Sequence, residues 1–169
     1  MKPTPPRAPL WNKSVRGLRI LYDTWYPWDQ KKVLRKLRPL KIRKLVNNDI
    51  EWCERLYLVN EHHGVPAGNR ENFSKYLRSD TCLILILEDS SGRLGTFGIY
   101  WYNEVIAYIC YLLVDPAAQR QGIGTTAIIA CISMMATDRN EKILFLSALE
   151  TSIRFYRKMG FEVFIGLER

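Results

Sequence analysis

The sequence predicts a mixed α/β (α+β) fold, laid out as β-α-α-β-β-β-α-β-α-β from residue 40 to the end. Three observations predict it. Strand-length apolar runs separated by turn residues occupy 82–114. Segments with helical spacing flank them, at 48–60, 70–78 and 125–137. Between the last of those strands and the helix that follows lies Val114-Asp115-Pro116-Ala117-Ala118-Gln119-Arg120-Gln121-Gly122-Ile123-Gly124-Thr125, where a proline stops one apolar run and two glycines open the next.

Taken in order, 40–46 alternates and reads as the first strand. Asn48 and Glu51 have capping-box spacing and open a helix to about Asn60, with Ile50, Cys53 and Tyr57 on one face. Residues 61–66, with His62 and His63, form a loop, and 70–78 is a second helix with Phe73, Tyr76 and Leu77 inward. Strands follow at 82–88, 93–101 and 105–114, turned by Ser90-Ser91-Gly92 and by Asn103-Glu104. The helix 125–137 is apolar nearly all round, which predicts burial on most sides. Then come a strand at 143–149, a helix capped by Thr151 that runs to Met159, a left-handed cap at Gly160, and a strand at 161–165.

The chain divides into a basic N-terminal extension, 1–39, and one domain, 40–169, large enough to bury a core. Residues 1–44 carry 13 Lys/Arg against two Asp, so the net +8 belongs to the front of the chain and the body is slightly acidic. Four of the eight prolines fall in 1–15, which reads as an arm without a core of its own. Residues 19–26 are too apolar to stand in water and are expected to dock on the body or on another subunit; the aromatic stretch 18–28 makes a homodimer one outcome. Residues 30–38 form a short basic amphipathic helix stopped by Pro39, with Trp25 and Trp28 before it. Three readings stay open for it: packing on its own fold, contact with an acidic partner such as nucleic acid, or a membrane surface, which two apolar turns would bind weakly.

The longest apolar run, 105–114, is half the length a membrane span needs. Residues 1–9 have no apolar signal core, so a cytoplasmic protein is expected. Cys53, Cys82, Cys110 and Cys131 are far apart and lack ligand spacing, so they read as buried reduced thiols, with no metal site.

The loop at 115–125 is read as an anion site. Its glycines let a ligand approach the backbone, and the helix start adds unpaired N–H donors with a partial positive charge. Arg120 adds a planar donor fork. A Walker loop is excluded because no Gly-Lys-Ser/Thr follows. A dinucleotide fingerprint fits Gly122-x-Gly124-x-x-Ala127, with Glu150 in the place of a ribose-binding acid. Against it, Asp115 to Gln119 stand between the strand and the glycine loop, and only about 20 residues remain after Glu150 to complete a doubly wound sheet.

Val114-Asp115-Pro116-x-x-Gln119-Arg120-x-Gly122-Ile123-Gly124 resembles the acetyl-coenzyme A loop of the GNAT superfamily of N-acetyltransferases. Phe155-Tyr156-Arg157-Lys158-Met159-Gly160-Phe161 is similar to that family's other signature, in the same order along the chain. The resemblance covers residue 40 to the end and implies a mostly antiparallel central sheet of about 6–7 strands flanked by helices. It implies acyl transfer from acetyl-coenzyme A, a co-substrate, to an amine acceptor of unassigned identity, by direct attack in a ternary complex. It also implies that the backbone of Arg120, Gln121, Gly122, Ile123, Gly124 and Thr125 takes the diphosphate, with Gln119 among the cofactor-binding residues. Leu112, Leu113 and Val114 would pair with the pantetheine arm, and the Val114 N–H would meet the thioester oxygen. Ser152 and Phe155 would line the cofactor, and Tyr156 would give its proton to the departing thiolate.

Two positions depart from the family. Leu149 stands where an asparagine is common, and neither 106–114 nor 143–149 contains the usual carboxylate base. Glu104 is the first candidate for that base, followed by Glu88 and by His62 or His63. The missing base leaves a non-catalytic coenzyme A-binding sensor or scaffold as the alternative.

Overall fold

The structure, a computed structural model, describes residues 17–22, 39–61, 70–103, 106–135, 142–146, 148, 150–159 and 161–164. From Lys41 onward the described elements follow the predicted order: β2 (Lys41–Lys44), α1 (Ile50–Glu61), α2 (Arg70–Leu77), β3 (Cys82–Asp89), β4 (Gly92–Trp101), β5 (Ile106–Val114), α3 (Ile123–Met135), β6 (Lys142–Leu146), α4 (Ile153–Lys158) and β7 (Glu162–Phe164). Before them Gly17–Tyr22 forms a strand, β1. The strands join into one sheet in the order β2-β3-β4-β5-β6-β1-β7. Pairing is antiparallel throughout except between β5 and β6, which run parallel from Ile106↔Ile143 to Ile109↔Leu146.

Helices cover both faces of the sheet. This is why β3 reads Leu83-Ile84-Leu85-Ile86-Leu87 without polar alternation. Leu85 and Leu87 pack with Ile123, Ala127, Ile128 and Cys131 of α3 and with Tyr156 and Met159. Ile84 and Ile86 pack with Cys53, Leu56 and Tyr57 of α1 and with Phe73 and Leu77 of α2. The expected burial of the apolar helix appears in Ile123, Ala127, Ile128 and Cys131, each at most 1% exposed.

The expected docking of 19–26 is observed for its first part. β1 lies between β6 and β7, with Leu18 opposite Leu146 on one side and Val163 on the other. Trp25, Trp28 and the basic segment 30–38 lie outside the described residues.

Three boundaries move for physical reasons. The third helix starts at Ile123 rather than Thr125, because the Gly122 carbonyl already accepts from the Thr126 N–H at 2.9 Å. Thr151 does not cap the last helix: residues 150–152 make a 3-10 turn, and Ser152 occupies the cap position in a helical conformation without a side-chain hydrogen bond. The carboxylate that turns back at the start of α1 belongs to Asp49, not Glu51. Asp49 Oδ2 accepts from the Val46 N–H at 2.9 Å, and the Asp49 N–H returns to the Val46 carbonyl at 2.8 Å.

Asp49 wins that place because it is fully buried among cations. Arg43 grips it with two bonds of 2.6 and 3.0 Å, and Arg93 Nε adds a third at 2.9 Å. Arg43 also reaches Glu88 at 2.9 Å, and Lys41 meets the same carboxylate at 3.1 Å. These ion pairs tie β2, β3, β4 and the head of α1 together.

Candidate active site

The site begins with an irregularity in β5. On β4, Thr96 and Gly98 lie opposite Leu113 and Cys110, so one extra residue is inserted on β5. Tyr111 takes φ 50° there, and Cys110 and Tyr111, though consecutive, both meet α2-side residues. This β-bulge reverses the facing of the strand. Before it, Ala107 and Ile109 face α3 and α4; after it, Leu113 faces α1 and α2. Among the described residues, pairing with β6 reaches Ile109, opposite Leu146, just before the bulge.

Beyond the bulge, β5 borders a cleft. The Asp115 N–H binds the Leu94 carbonyl of β4 at 2.8 Å. Strand alternation therefore turns the N–H groups of Leu112 and Val114 the other way, away from β4. Leu112, Leu113 and Val114 line a cleft of about 640 Å³.

At the end of β5, Asp115 Oδ1 accepts from the Ala117 N–H at 2.9 Å, and Pro116–Ala118 forms a single 3-10 turn. Two left-handed residues follow, Arg120 with φ 61° and Gly122 with φ 83°. Left-handed backbone costs a non-glycine residue of the order of 1 kcal/mol or more, so Arg120 is held there by its surroundings. Alternating handedness gathers successive N–H groups into a concave nest that suits an anion. The first-turn N–H groups of α3 open beside it, with no acidic side chain in that turn. Gly124 faces the ring of Phe155: a Cβ built on it would lie 3.4 Å from Phe155 Cζ.

The cleft wall opposite β5 comes from α4. Thr151, Ser152, Phe155 and Tyr156 line it. Tyr156 is 8% exposed, and its ring packs edge-on against Phe155 and Phe161. Burial, with Tyr108 nearby, raises its pKa, so the phenol holds its proton through the neutral range. The thiols nearest β5 are poor nucleophiles, since burial pushes Cys110 and Cys131 up to about 12.

The residues predicted for the cofactor thus converge on one cleft, with Gln121 as the exception. Its side-chain amide folds back onto the Ala117 carbonyl at 3.2 Å, away from the lining. Glu88 is not among the residues lining the cleft; Lys41 and Arg43 engage it and lower its pKa. Glu104, His62, His63 and Leu149 lie outside the described residues.

Sequence reasoning missed Ala118, Thr151 and, above all, Asn60. Asn60 is 5% exposed at the end of α1, and its Nδ2 donates to the Leu56 carbonyl at 2.9 Å and the Val114 carbonyl at 3.3 Å. Gln119 Nε2 donates to the same Val114 carbonyl at 3.2 Å and to Asn60 Oδ1 at 3.4 Å. The available signal was a polar residue continuing the buried stripe of Cys53 and Tyr57.

A bulged strand and a left-handed glycine loop at the head of the next helix thus border one cleft, with a backbone nest of the kind that suits an anion. The chain matches the model of the Acetyltransferase (GNAT) family over residues 43–161 and belongs to that family. Members of this family use acetyl-coenzyme A. No curated protein matches the chain.

Among solved structures, a GCN5-related N-acetyltransferase from Ralstonia eutropha is similar at 20% identity and TM-score 0.60, covering 78% of this chain and 97% of that one. A predicted acetyltransferase from Clostridium acetobutylicum, solved with acetyl-coenzyme A, is similar at 19% identity and TM-score 0.57, covering 77% and 96%. An aminoglycoside acetyltransferase from an uncultured soil metagenomic sample, in complex with sisomicin, is similar at 26% identity and TM-score 0.50, covering 72% and 85%.

Proposed function

We propose that this protein transfers the acetyl group of acetyl-coenzyme A to an amine by direct attack in a ternary complex. The observation that carries the reading is spatial. One cleft runs from the nest at Arg120 and Gly122, along Leu112 to Val114 of β5, to the buried phenol of Tyr156. An extended carrier with a diphosphate near one end and a thioester at the other matches that sequence of environments.

In this reading the loop N–H groups take the diphosphate, and the pantetheine arm lies along Leu112 to Val114. The N–H of Val114 polarises the thioester carbonyl. The amine lone pair forms the new C–N bond, the C–S bond breaks, and the thiolate takes the Tyr156 proton. The proton shed by the nitrogen leaves through a base, for which Glu104 is nominated. The buried thiols of Cys110 and Cys131, held protonated, favour direct attack over an acyl-cysteine.

Thermal shift followed by a thiol-release assay tests this. Acetyl-coenzyme A and coenzyme A should raise the Tm and NAD should not, with about 2.7 kcal/mol gained at a hundredfold excess over Kd. Thiol should then appear when an amine is supplied. An aminoglycoside belongs in the first panel because the sisomicin-bound neighbour acts on that class. Stabilisation without thiol release across the panel would favour the sensor alternative; stabilisation by NAD alone would overturn the reading.

A further inference from the structure

We infer that Asn60 is a positioning residue for acetyl-coenzyme A use, acting through the last peptide of β5. The inference rests on the reading that the carrier lies along the open edge of that strand.

The Val114–Asp115 peptide is clamped from two sides. Its N–H binds the Leu94 carbonyl at 2.8 Å, which belongs to the sheet. Its carbonyl points away from β4 to the cleft side, and there Asn60 and Gln119 donate to it at 3.3 and 3.2 Å. The Asn60 amide is the anchored member of that pair. It is 5% exposed, it is fixed to its own helix by the 2.9 Å bond to Leu56, and it accepts from Gln119. Gln119 itself is exposed and reaches the carbonyl from the loop.

Two consequences follow for the site. The clamp sets the torsion between the Val114 N–H, which faces the carrier, and the loop that turns toward Arg120. It also occupies a carbonyl that would otherwise point a bare acceptor into the cleft beside a polyanionic ligand. A structural role alone does not require the amide to come from α1: the carbonyl lies at the cleft, where water could satisfy it. Placing a buried asparagine there gives the strand end one fixed orientation.

The experiment compares wild type, Asn60→Ala and Asn60→Asp in full-length protein. Steady-state kinetics are measured with each substrate varied, alongside Tm and amide hydrogen exchange at Asp115. Asn60→Ala should lower kcat/KM for acetyl-coenzyme A by ten- to a hundredfold while the KM for the amine stays within about twofold. Exchange at Asp115 should quicken in a protein whose circular dichroism is unchanged. Asn60→Asp, which replaces the donor by an acceptor facing the Val114 carbonyl, should be at least as impaired. Wild-type kcat/KM in Asn60→Ala, or a loss that only tracks the unfolded fraction, overturns the inference. If wild type neither binds coenzyme A nor releases thiol, the proposed function fails, and unchanged exchange at Asp115 in Asn60→Ala then independently overturns the clamp.

Discussion

Tyr156 and Gly124 show how much a single residue can decide here. A phenol kept protonated by burial is useful only if a basic atom arrives beside it, and in the proposed reaction a thiolate does. Tyr156→Phe keeps the ring packing with Phe155 and Phe161 and removes only the hydroxyl that would give the proton. Turnover should fall by ~10²-fold or more with the fold intact; equal turnover in steady-state thiol release would return Tyr156 to a packing role. Gly124 matters for what it leaves out. Gly124→Val would push carbon against Phe155 and into the diphosphate cradle, so coenzyme A affinity should drop at least tenfold, or ~1.4 kcal/mol by calorimetry. The helix should tolerate the change, since valine has the higher helix propensity. Both residues were legible in the sequence because each sits in a signature with fixed spacing. Asn60 was not, because its importance comes from a partner 54 positions away, and chain order gives no distance between them.

At the scale of elements, the structure separates what stabilises the sheet edge from what serves the cleft. Asp49 is buried with Arg43 and Arg93 on it, and removing one partner of such a group leaves uncompensated charge. Asp49→Asn should cost roughly 3–5 kcal/mol in chemical denaturation. Its pKa is lowered in the folded state, first by the Arg43 hydrogen bonds. Its stabilisation is therefore complete above the unfolded carboxylate value of about 3.9 and is lost as pH falls through the lower folded value. Wild type should lose stability across that acid window more steeply than Asp49→Asn; parallel curves would contradict the assignment. The helices and strands were readable from periodicity, but their starts were not. The head of α1 was misplaced because Glu51 has the right spacing while Asp49 is the buried carboxylate that Arg43 and Arg93 hold. The start of α3 was placed late because glycines read as loop until the Gly122 carbonyl is seen to accept from Thr126. The bulge at Tyr111 left no mark in the sequence, since an apolar run gives the same reading with or without an inserted residue.

Across the whole molecule, the cleft follows from where β5 bulges. β5 and β6 pair up to Ile109 and Leu146, and the bulge, the loop and α4 line the gap that forms the cleft. The fold class and the order of elements from residue 40 onward were evident in the chain because each segment's period agrees with its place in the sheet. The position of β1 between β6 and β7 was not, for an apolar segment announces that it must be covered without saying by what. Everything proposed for the chemistry depends on the carrier lying in that gap with its diphosphate on the backbone of the loop. Amide chemical shifts followed by NMR during titration with coenzyme A test this most directly. The account predicts the largest shifts at Arg120, Gly122, Ile123 and Gly124, with further shifts at Leu112 and Val114. Saturable shifts confined to residues away from this cleft, with those amides unmoved, would contradict it.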